Sequence, residues 1–431
     1  MERIKSWAQA LDYMYARLPM FQRQGPSAYK KDLSNTLLLS EACSNPHAKL
    51  KCVHIAGTNG KGTVSHIIAG GLQSQGYSVG VYTSPHYKDF RERIKINGVF
   101  ISKKYIIEFL NTYMTDIELI RPSFFEMTVV LSYCYFRDQQ VDYAVIETGL
   151  GGRLDSTNII TPILSVITNI SYDHQALLGD TLEQIAGEKA GIIKPSIPVI
   201  IGETQTDTEN VFITKAKQFK AKIIWADKNI SYHIKNRIGE YEIFDIKKEG
   251  NLLWHNLETD ITGPFQHKNL ITGLYALHFL SETIKFNFQK FSEFLPKLKS
   301  KTKYFGRWQI LSNNPIVLTD SAHNEGGLKI VLAEVQKFSF DRLHIVIGFV
   351  NDKDVSNILA LFPTDAKYYF AKANIPRGLG ADELRKSAMN FGLKGKSYMS
   401  VKKALAAAKL SAKKTDMIYV GGSIFVVAEI L

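Results

Sequence analysis

Cysteine is almost missing from this chain: its 431 residues include three, Cys43, Cys52 and Cys134. Three thiols cannot all pair, and none stands in a Cys-x-x-Cys spacing, so neither a disulfide framework nor a zinc site is indicated. A reducing compartment fits, and a cytoplasmic location is expected. Long apolar runs are missing too, for nothing approaches the roughly 18 residues that span a bilayer. Near the N-terminus Ile4, Trp7, Leu11, Met14, Tyr15 and Leu18 recur at helical spacing, and Asp12 and Arg17 interrupt them. That reads as an amphipathic helix and not as a signal peptide. Acidic charge is in short supply, 41 Asp and Glu against 53 Lys and Arg, a formal +12. Such a surplus fits a nucleic-acid surface, yet the lysines are scattered and no nucleic-acid motif accompanies them. A field that draws in polyanionic small molecules is more economical, and a lysine-rich background plainer still. Neither a nucleic-acid partner nor a membrane is expected.

What is present is a body of ordinary soluble composition, 45% hydrophobic and 22% charged, long enough for two domains. From 50 to 202, short apolar runs (52–56, 79–83, 141–146, 163–168, 197–201) alternate with helical patterns such as 123–137 and 181–190. This predicts a parallel sheet with helices on both faces. Residues 222–261 turn to short β-like runs (222–225, 241–246, 252–254), expected as an antiparallel extension, and 270–280 reads as helix. Lys297, Lys299, Lys301 and Lys303 form a basic run at a composition shift, expected as a connector. Beyond it strands 316–319, 344–348 and 417–420 alternate with helices, as in a second, smaller α/β domain.

The most informative stretch is 53–63, Val-His-Ile-Ala-Gly-Thr-Asn-Gly-Lys-Gly-Thr. An apolar strand opens into a glycine-rich turn, and Val64, Ile67, Ile68 and Leu72 then recur at helical spacing. Such a turn points backbone N–H groups and a helix N-terminus at one spot, a cradle for phosphate. Lys61 is placed to neutralise terminal phosphates and the Thr63 hydroxyl to ligate magnesium. The strict phosphate-loop pattern fails twice, with Ile55 in place of glycine and Gly62 between Lys61 and Thr63. An ordinary glycine turn is the plain alternative; strand, lysine and hydroxyl together favour phosphate.

Glu147 follows the apolar run 141–146, so its carboxylate is expected at the carboxyl end of a buried strand, where open α/β sheets bind ligands. It suits a Mg²⁺ ligand or a surface ion pair about equally, and the mobile Gly149-Leu150-Gly151-Gly152 run that follows favours function. Ser84, at another strand end, reads alone as a turn serine. His174 reads alone as a structural histidine, and Lys189 as a solvated or ion-paired lysine at a helix end.

The turn Gly57-Thr58-Asn59-Gly60-Lys61-Gly62-Thr63 resembles the phosphate loop of the folylpolyglutamate synthase and dihydrofolate synthase family, the folate branch of the Mur ligase superfamily. Further blocks follow in family order. They are Thr83-Ser84-Pro85-His86, Arg91-Glu92-Arg93-Ile94, Ile96-Asn97-Gly98, and Glu147 to Asn158. Next come Asp173-His174, Leu178-Gly179, Glu188 to Ile192, Gln266 with Asn269, and Gly306-Arg307-Trp308. Asp320 to Asn324, Asp352-Lys353-Asp354 and Gly422-Ser423 complete the set. It spans nearly the whole chain and resembles a bacterial bifunctional member.

The resemblance implies a Mur ligase-like fold: a phosphate-loop domain with a mainly parallel sheet, and a second, smaller Rossmann-like α/β domain. The boundaries expected are 1–298 for the ATP-binding central-type domain with the pterin site, 299–306 for a basic linker, and 307–431 for the C-terminal domain. It implies ATP contacts from Gly57, Thr58, Asn59, Gly60, Lys61, Gly62, Thr63, Gln266, Asn269, Arg307 and Asp320. Two Mg²⁺ sites are implied, with Thr63, Ser84, Glu147, His174 and a carbamylated Lys189 as ligands. A lysine can take up CO₂ only as the neutral amine, which desolvation favours. Catalytic roles are implied for Lys61, Lys189 and His323, although the family usually has glycine where this chain has Ser321. Ser123, Phe124, Phe125, Glu126, Leu154, Asp155 and Ser156 match the segments that line the pterin pocket, though aromatics at helical spacing are more often core.

The implied activity is ATP-dependent ligation of L-glutamate to dihydropteroate and to tetrahydrofolate through an acyl phosphate, by a monomer. The alternatives are a folylpolyglutamate synthase only, a Mur-type amino-acid ligase, or a non-enzymatic phosphate-loop ATPase switch. With the loop at residue 57, no room is expected for the separate UDP-binding domain of the Mur-type enzymes. A switch leaves the Asp-Ser-Ala-His-Asn block and Arg307 unexplained.

Overall fold

The structure, a computed structural model, describes residues 3–20, 32–238, 241–263, 265–351 and 355–431. The block Asp352-Lys353-Asp354 lies outside the described residues. The chain divides into two compact units, Met1–Tyr304 and Phe305–Leu431.

In the first unit, strands β1 (Cys52–Ala56), β2 (Val79–Tyr82), β3 (Ile94–Ile96), β4 (Val99–Phe100), β5 (Tyr143–Glu147), β6 (Leu164–Ile167), β7 (Val199–Ile201) and β8 (Ile223–Trp225) form one sheet. Their order is β4-β3-β2-β5-β1-β6-β7-β8. The strands from β2 to β8 in that order are parallel, whereas β3 and β4 add an antiparallel edge. Every residue of β1, β2, β5, β6 and β7 is buried. That is why these segments read as unbroken apolar runs: helices cover both faces of a parallel sheet. The helix Lys61–Ser74 buries Val64, Ile67, Ile68 and Leu72 in one core, and the helix Phe124–Asp138 packs in another. β1 lies between β5 and β6, and the chain runs outward from it on both sides. Its carboxyl end therefore opens where strand order reverses, the place at which such sheets take ligands.

One expectation is corrected here. Residues 223–225 do not belong to an antiparallel extension, because β8 pairs in parallel with β7 and completes the main sheet. The antiparallel strands are β9 (Ile230–Ile238), β10 (Tyr241–Lys248) and β11 (Asn251–Thr259), a separate three-stranded sheet. Three residues are too few for the pattern to distinguish a parallel edge strand from a hairpin strand. The basic run at 297–303 is also more ordered than a connector: Leu298–Thr302 is helical, with Leu298 and Thr302 buried. Its lysines lie on the solvent side of an amphipathic turn.

The second unit holds β12 (Gln309–Asn313), β13 (Ile316–Thr319), β14 (Leu343–Ile347), β15 (Lys367–Ala371), β16 (Gly395–Tyr398) and β17 (Met417–Gly421), ordered β12-β13-β17-β14-β15-β16. All pair in parallel except β12 with β13. Cys43, Cys52 and Cys134 are buried thiols. Among the described residues no helix is long and apolar enough to cross a membrane.

Candidate active site

The loop after β1 is built by its neighbour β6. The Thr58 N–H donates to the Asn169 carbonyl at 2.8 Å, and the Asn59 N–H to Asn169 Oδ1 at 3.1 Å. Thr168 Oγ1 donates to the Asn59 carbonyl at 2.6 Å. Gly60 caps the helix Lys61–Ser74 with φ of 82°, a left-handed conformation that favours glycine. A Cβ at Gly60 would overlap Asn269 Oδ1, so the helix Gln266–Leu280 presses its first turn against the loop. No side chain caps the helix at Gly60, and the N-terminus of a helix favours an anion. The sequence pattern missed Thr168 and Asn169; their only signal was their place just after an apolar run, at a strand's carboxyl end.

Two lysines converge on this loop. Lys61 Nζ donates to the carbonyls of Gly57 and Thr58 at 3.0 and 3.1 Å. Lys189, the last residue of the helix Leu182–Lys189, is 4% exposed and donates to the same Gly57 carbonyl at 3.1 Å. Burial, and then the neighbouring charge of Lys61, lowers the Lys189 amine to about 7, against the opposing pull of Asp173 and Asp155. The plain reading of a solvated lysine is thus corrected.

Glu147 stands at the end of β5, 5% exposed, and its Oε2 accepts the Ser84 N–H at 3.3 Å. A Cβ at Gly62 would lie 3.7 Å from that same oxygen, so Glu147 faces the loop. Among the described residues no group of three or more His, Cys, Asp or Glu side chains is assembled for a metal. Glu147, the Ser84 whose N–H it accepts and the Thr63 that follows Gly62 all offer oxygen donors, which suit magnesium and not zinc. His174 is half-buried with φ of 52°, its Nε2 3.8 Å from Asp173 Oδ1. Lys95 was not singled out as a site residue. It is buried with its Nζ 3.3 Å from His66 Nε2, and burial lowers it to about 8 despite Glu92 and Glu147.

The segments expected around a pterin are sorted by packing. Ser123 and Glu126 form a capping box at the start of the helix Phe124–Asp138. Phe124 is 2% exposed, its ring 5.6 Å from those of Tyr15 and Phe90 and 5.4 Å beneath the Arg93 guanidinium. It is a core residue and offers no face for stacking. Phe125 is half-buried, with its ring against Gly149. Buried Asp155 ties that loop down, its Oδ2 accepting the N–H groups of Gly149 and Leu150 and its Oδ1 that of Thr157. Burial still raises its carboxyl above the usual value, against those hydrogen bonds. Ser156 is buried and Leu154 half-buried beside it.

In the second unit, Asp320 is fully buried and accepts the N–H groups of Trp308 and Ala322, each at 2.7 Å. Burial raises its carboxyl, opposed by Arg307 and those backbone donors. His323 Nδ1 lies 3.0 Å from the Ser321 carbonyl, and Ser321 Oγ donates to the Gly306 carbonyl at 3.1 Å. Serine is accommodated where glycine was the expectation, its hydroxyl bonded within the same unit.

Two family models match the chain: the Mur ligase middle domain over residues 55–277 and the Mur ligase glutamate ligase domain over residues 306–424. The chain is 32% identical over 389 residues to the dihydrofolate synthase/folylpolyglutamate synthase of Bacillus subtilis (strain 168), covering 88% of each. It is 30% identical over 410 residues to the folylpolyglutamate synthase of Lacticaseibacillus casei, covering 93% of each. Among solved structures, E. coli FolC in complex with DHPP and ADP matches with a TM-score of 0.86 at 27% identity, over 100% of this chain and 98% of that one. Mycobacterium tuberculosis folylpolyglutamate synthase complexed with ADP and AMPPCP matches with a TM-score of 0.88 at 25% identity, over 99% and 98%.

Proposed function

The chain belongs to the Mur ligase family, on its dihydrofolate synthase/folylpolyglutamate synthase branch, and from that premise we propose how its residues perform the reaction. It is an ATP-dependent ligase that joins L-glutamate to dihydropteroate and, as a folylpolyglutamate synthase, to tetrahydrofolate. The observation that carries the reading is the meeting of Lys61, Lys189 and Glu147 around one uncapped, glycine-lined helix N-terminus.

In the first step an oxygen of the acceptor carboxylate attacks the γ-phosphorus of ATP. The bond to the ADP oxygen breaks, leaving an acyl phosphate. The glutamate nitrogen then attacks the acyl carbon, loses a proton, and inorganic phosphate departs. Phosphoryl transfer of this kind depends on positioning and charge neutralisation. Lys61 turns from its own loop carbonyls to the terminal phosphates, and the amides of the helix start hold the oxygens around them. Thr63, Ser84, Glu147, His174 and a carbamylated Lys189 would hold two Mg²⁺ ions, which supply charge neutralisation to the phosphates. The amine of Lys189, near neutrality at physiological pH, is poised to accept CO₂. Gln266 and Asn269 brace the loop and contact the nucleotide. Phe125, with Asp155 and Ser156, bounds the pteroyl side. Arg307, Asp320 and His323 are assigned, on the family resemblance, to handling the nucleotide and the acyl group. A cytoplasmic monomer is the expected form.

The test is ADP formation with glutamate and either dihydropteroate or tetrahydrofolate, run in parallel. Both acceptors should give glutamate-dependent ADP. Release with tetrahydrofolate alone would leave only the polyglutamylating activity, and glutamate-independent release with either would point to a switch.

A further inference from the structure

Thr63 carries a contact that the phosphate-loop reading does not explain. Its Oγ1 lies 2.7 Å from the hydroxyl of Tyr304, the last residue of the first unit and 241 positions away in the chain. Both residues are buried, Thr63 at 4% and Tyr304 at 8% exposure. Gln266 Nε2 donates to the same phenol oxygen at 3.4 Å. The Gln266 amide is oriented for this, because Asn269 Nδ2 donates to its Oε1 at 3.0 Å. The Tyr304 ring is held from the side by His66, with centroids 5.0 Å apart, and His66 Nδ1 pairs with Thr302 Oγ1 at 2.8 Å. Packing alone would be met by a phenylalanine; the hydroxyl is what reaches Thr63.

A hydroxyl that ligates a cation must turn its proton away from the ion and give it to an acceptor. We propose that Tyr304 is that acceptor, a positioning residue that orients the Thr63 hydroxyl so that its lone pair meets the Mg²⁺ of the bound nucleotide. The phenol oxygen can accept from Thr63 and from Gln266 Nε2 together. The chain Tyr304–Gln266–Asn269 then links the start of the helix Lys61–Ser74 to Gly60 across the loop. This assignment rests on the nucleotide reading of the loop given above.

The test is Tyr304→Phe, which keeps the ring and removes one oxygen. ADP affinity is measured by calorimetry in EDTA, and Mn²⁺ affinity of the ADP complex by electron paramagnetic resonance. Expected are a metal-free ADP affinity within about twofold of the unaltered chain and a Mn²⁺ affinity lowered about 10–100-fold, the range for loss of a ligand's supporting hydrogen bond. The Mg²⁺ concentration for half-maximal ADP formation should rise in step, with kcat recovering at saturating Mg²⁺. Unchanged Mn²⁺ affinity overturns the assignment. An equal loss of metal-free ADP affinity also overturns it, by assigning Tyr304 to the scaffold of the loop. If the unaltered chain binds no Mn²⁺–ADP, the nucleotide reading itself falls, and this assignment with it.

Discussion

Stripping dissolved CO₂ from the chain, and separately removing Lys189, distinguishes a carbamate-forming amine from an ordinary buried cation. An exposed lysine near 10.4 is roughly 0.04% neutral at pH 7. At about 7, Lys189 is close to half neutral, on the order of a thousandfold more of the form that reacts with CO₂. The pH profile follows from the same value. The neutral fraction is about 9% at pH 6 and about 91% at pH 8, a tenfold rise that then levels off. An unperturbed lysine would instead gain about tenfold per pH unit up to about pH 9. The assay is the rate of ¹³C uptake from labelled bicarbonate, followed by NMR at constant dissolved CO₂, alongside glutamate-dependent ADP formation. The carbamate signal should be absent from Lys189→Ala. Activity should fall in CO₂-depleted buffer and in Lys189→Ala, and a short-chain carboxylic acid should partly restore the variant. Full activity without CO₂, or label uptake that climbs about tenfold per unit from pH 7 to pH 9, would refute the reasoning.

Lys61→Ala should fold normally and lose ATP-dependent ligation by on the order of 10²–10³, the effect of one preorganised charge contact; unchanged turnover in the folded variant removes the phosphate-loop assignment. Phe124→Ala should lower stability by about 3–5 kcal/mol through a core cavity. Phe125→Ala should instead raise KM for the pteroyl acceptor roughly 3–10-fold, and a reversal of these outcomes contradicts the sorting of the two rings. Lys189→Met tests the sign of the buried-amine effect on the apo chain. The folded amine titrates near 7 and the unfolded one near 10.5, so the unfolded state binds more protons between those values and the unaltered chain gains stability as pH rises. From pH 7 to 9 that gain is about 2 kcal/mol, and denaturant melts of Lys189→Met should lack it.

Much of this was present in local spacing. A strand, a glycine turn and a helix are determined by neighbours within a dozen residues, so the loop 57–63 and the strand ends at Ser84 and Glu147 were legible before any fold was known. The ordered blocks likewise carried the family, because each is a contiguous run or a pair within one helical turn. The antiparallel extension expected over 222–261 begins only at Ile230, and 223–225 falls outside it, since pairing partners are set by the rest of the sheet and not by three apolar residues.

What only the tertiary structure decided is environment. Lys189 and the Gly57 carbonyl are 132 positions apart, and only their meeting inside a desolvated corner beside Lys61 brings the amine down to about 7. Phe124 and Phe125 are adjacent and chemically identical, yet one is core and the other borders the Gly149 loop, because successive helical residues point about 100° apart. Tyr304 belongs to no phosphate-loop pattern; it reaches Thr63 because the helical turn Leu298–Thr302 buries Leu298 and Thr302. Residue type and spacing determined which groups this protein has and where along each strand or helix they stand. Burial and long-range pairing, which depend on the whole packed chain, decided which of them carry unusual protonation states and which merely fill space.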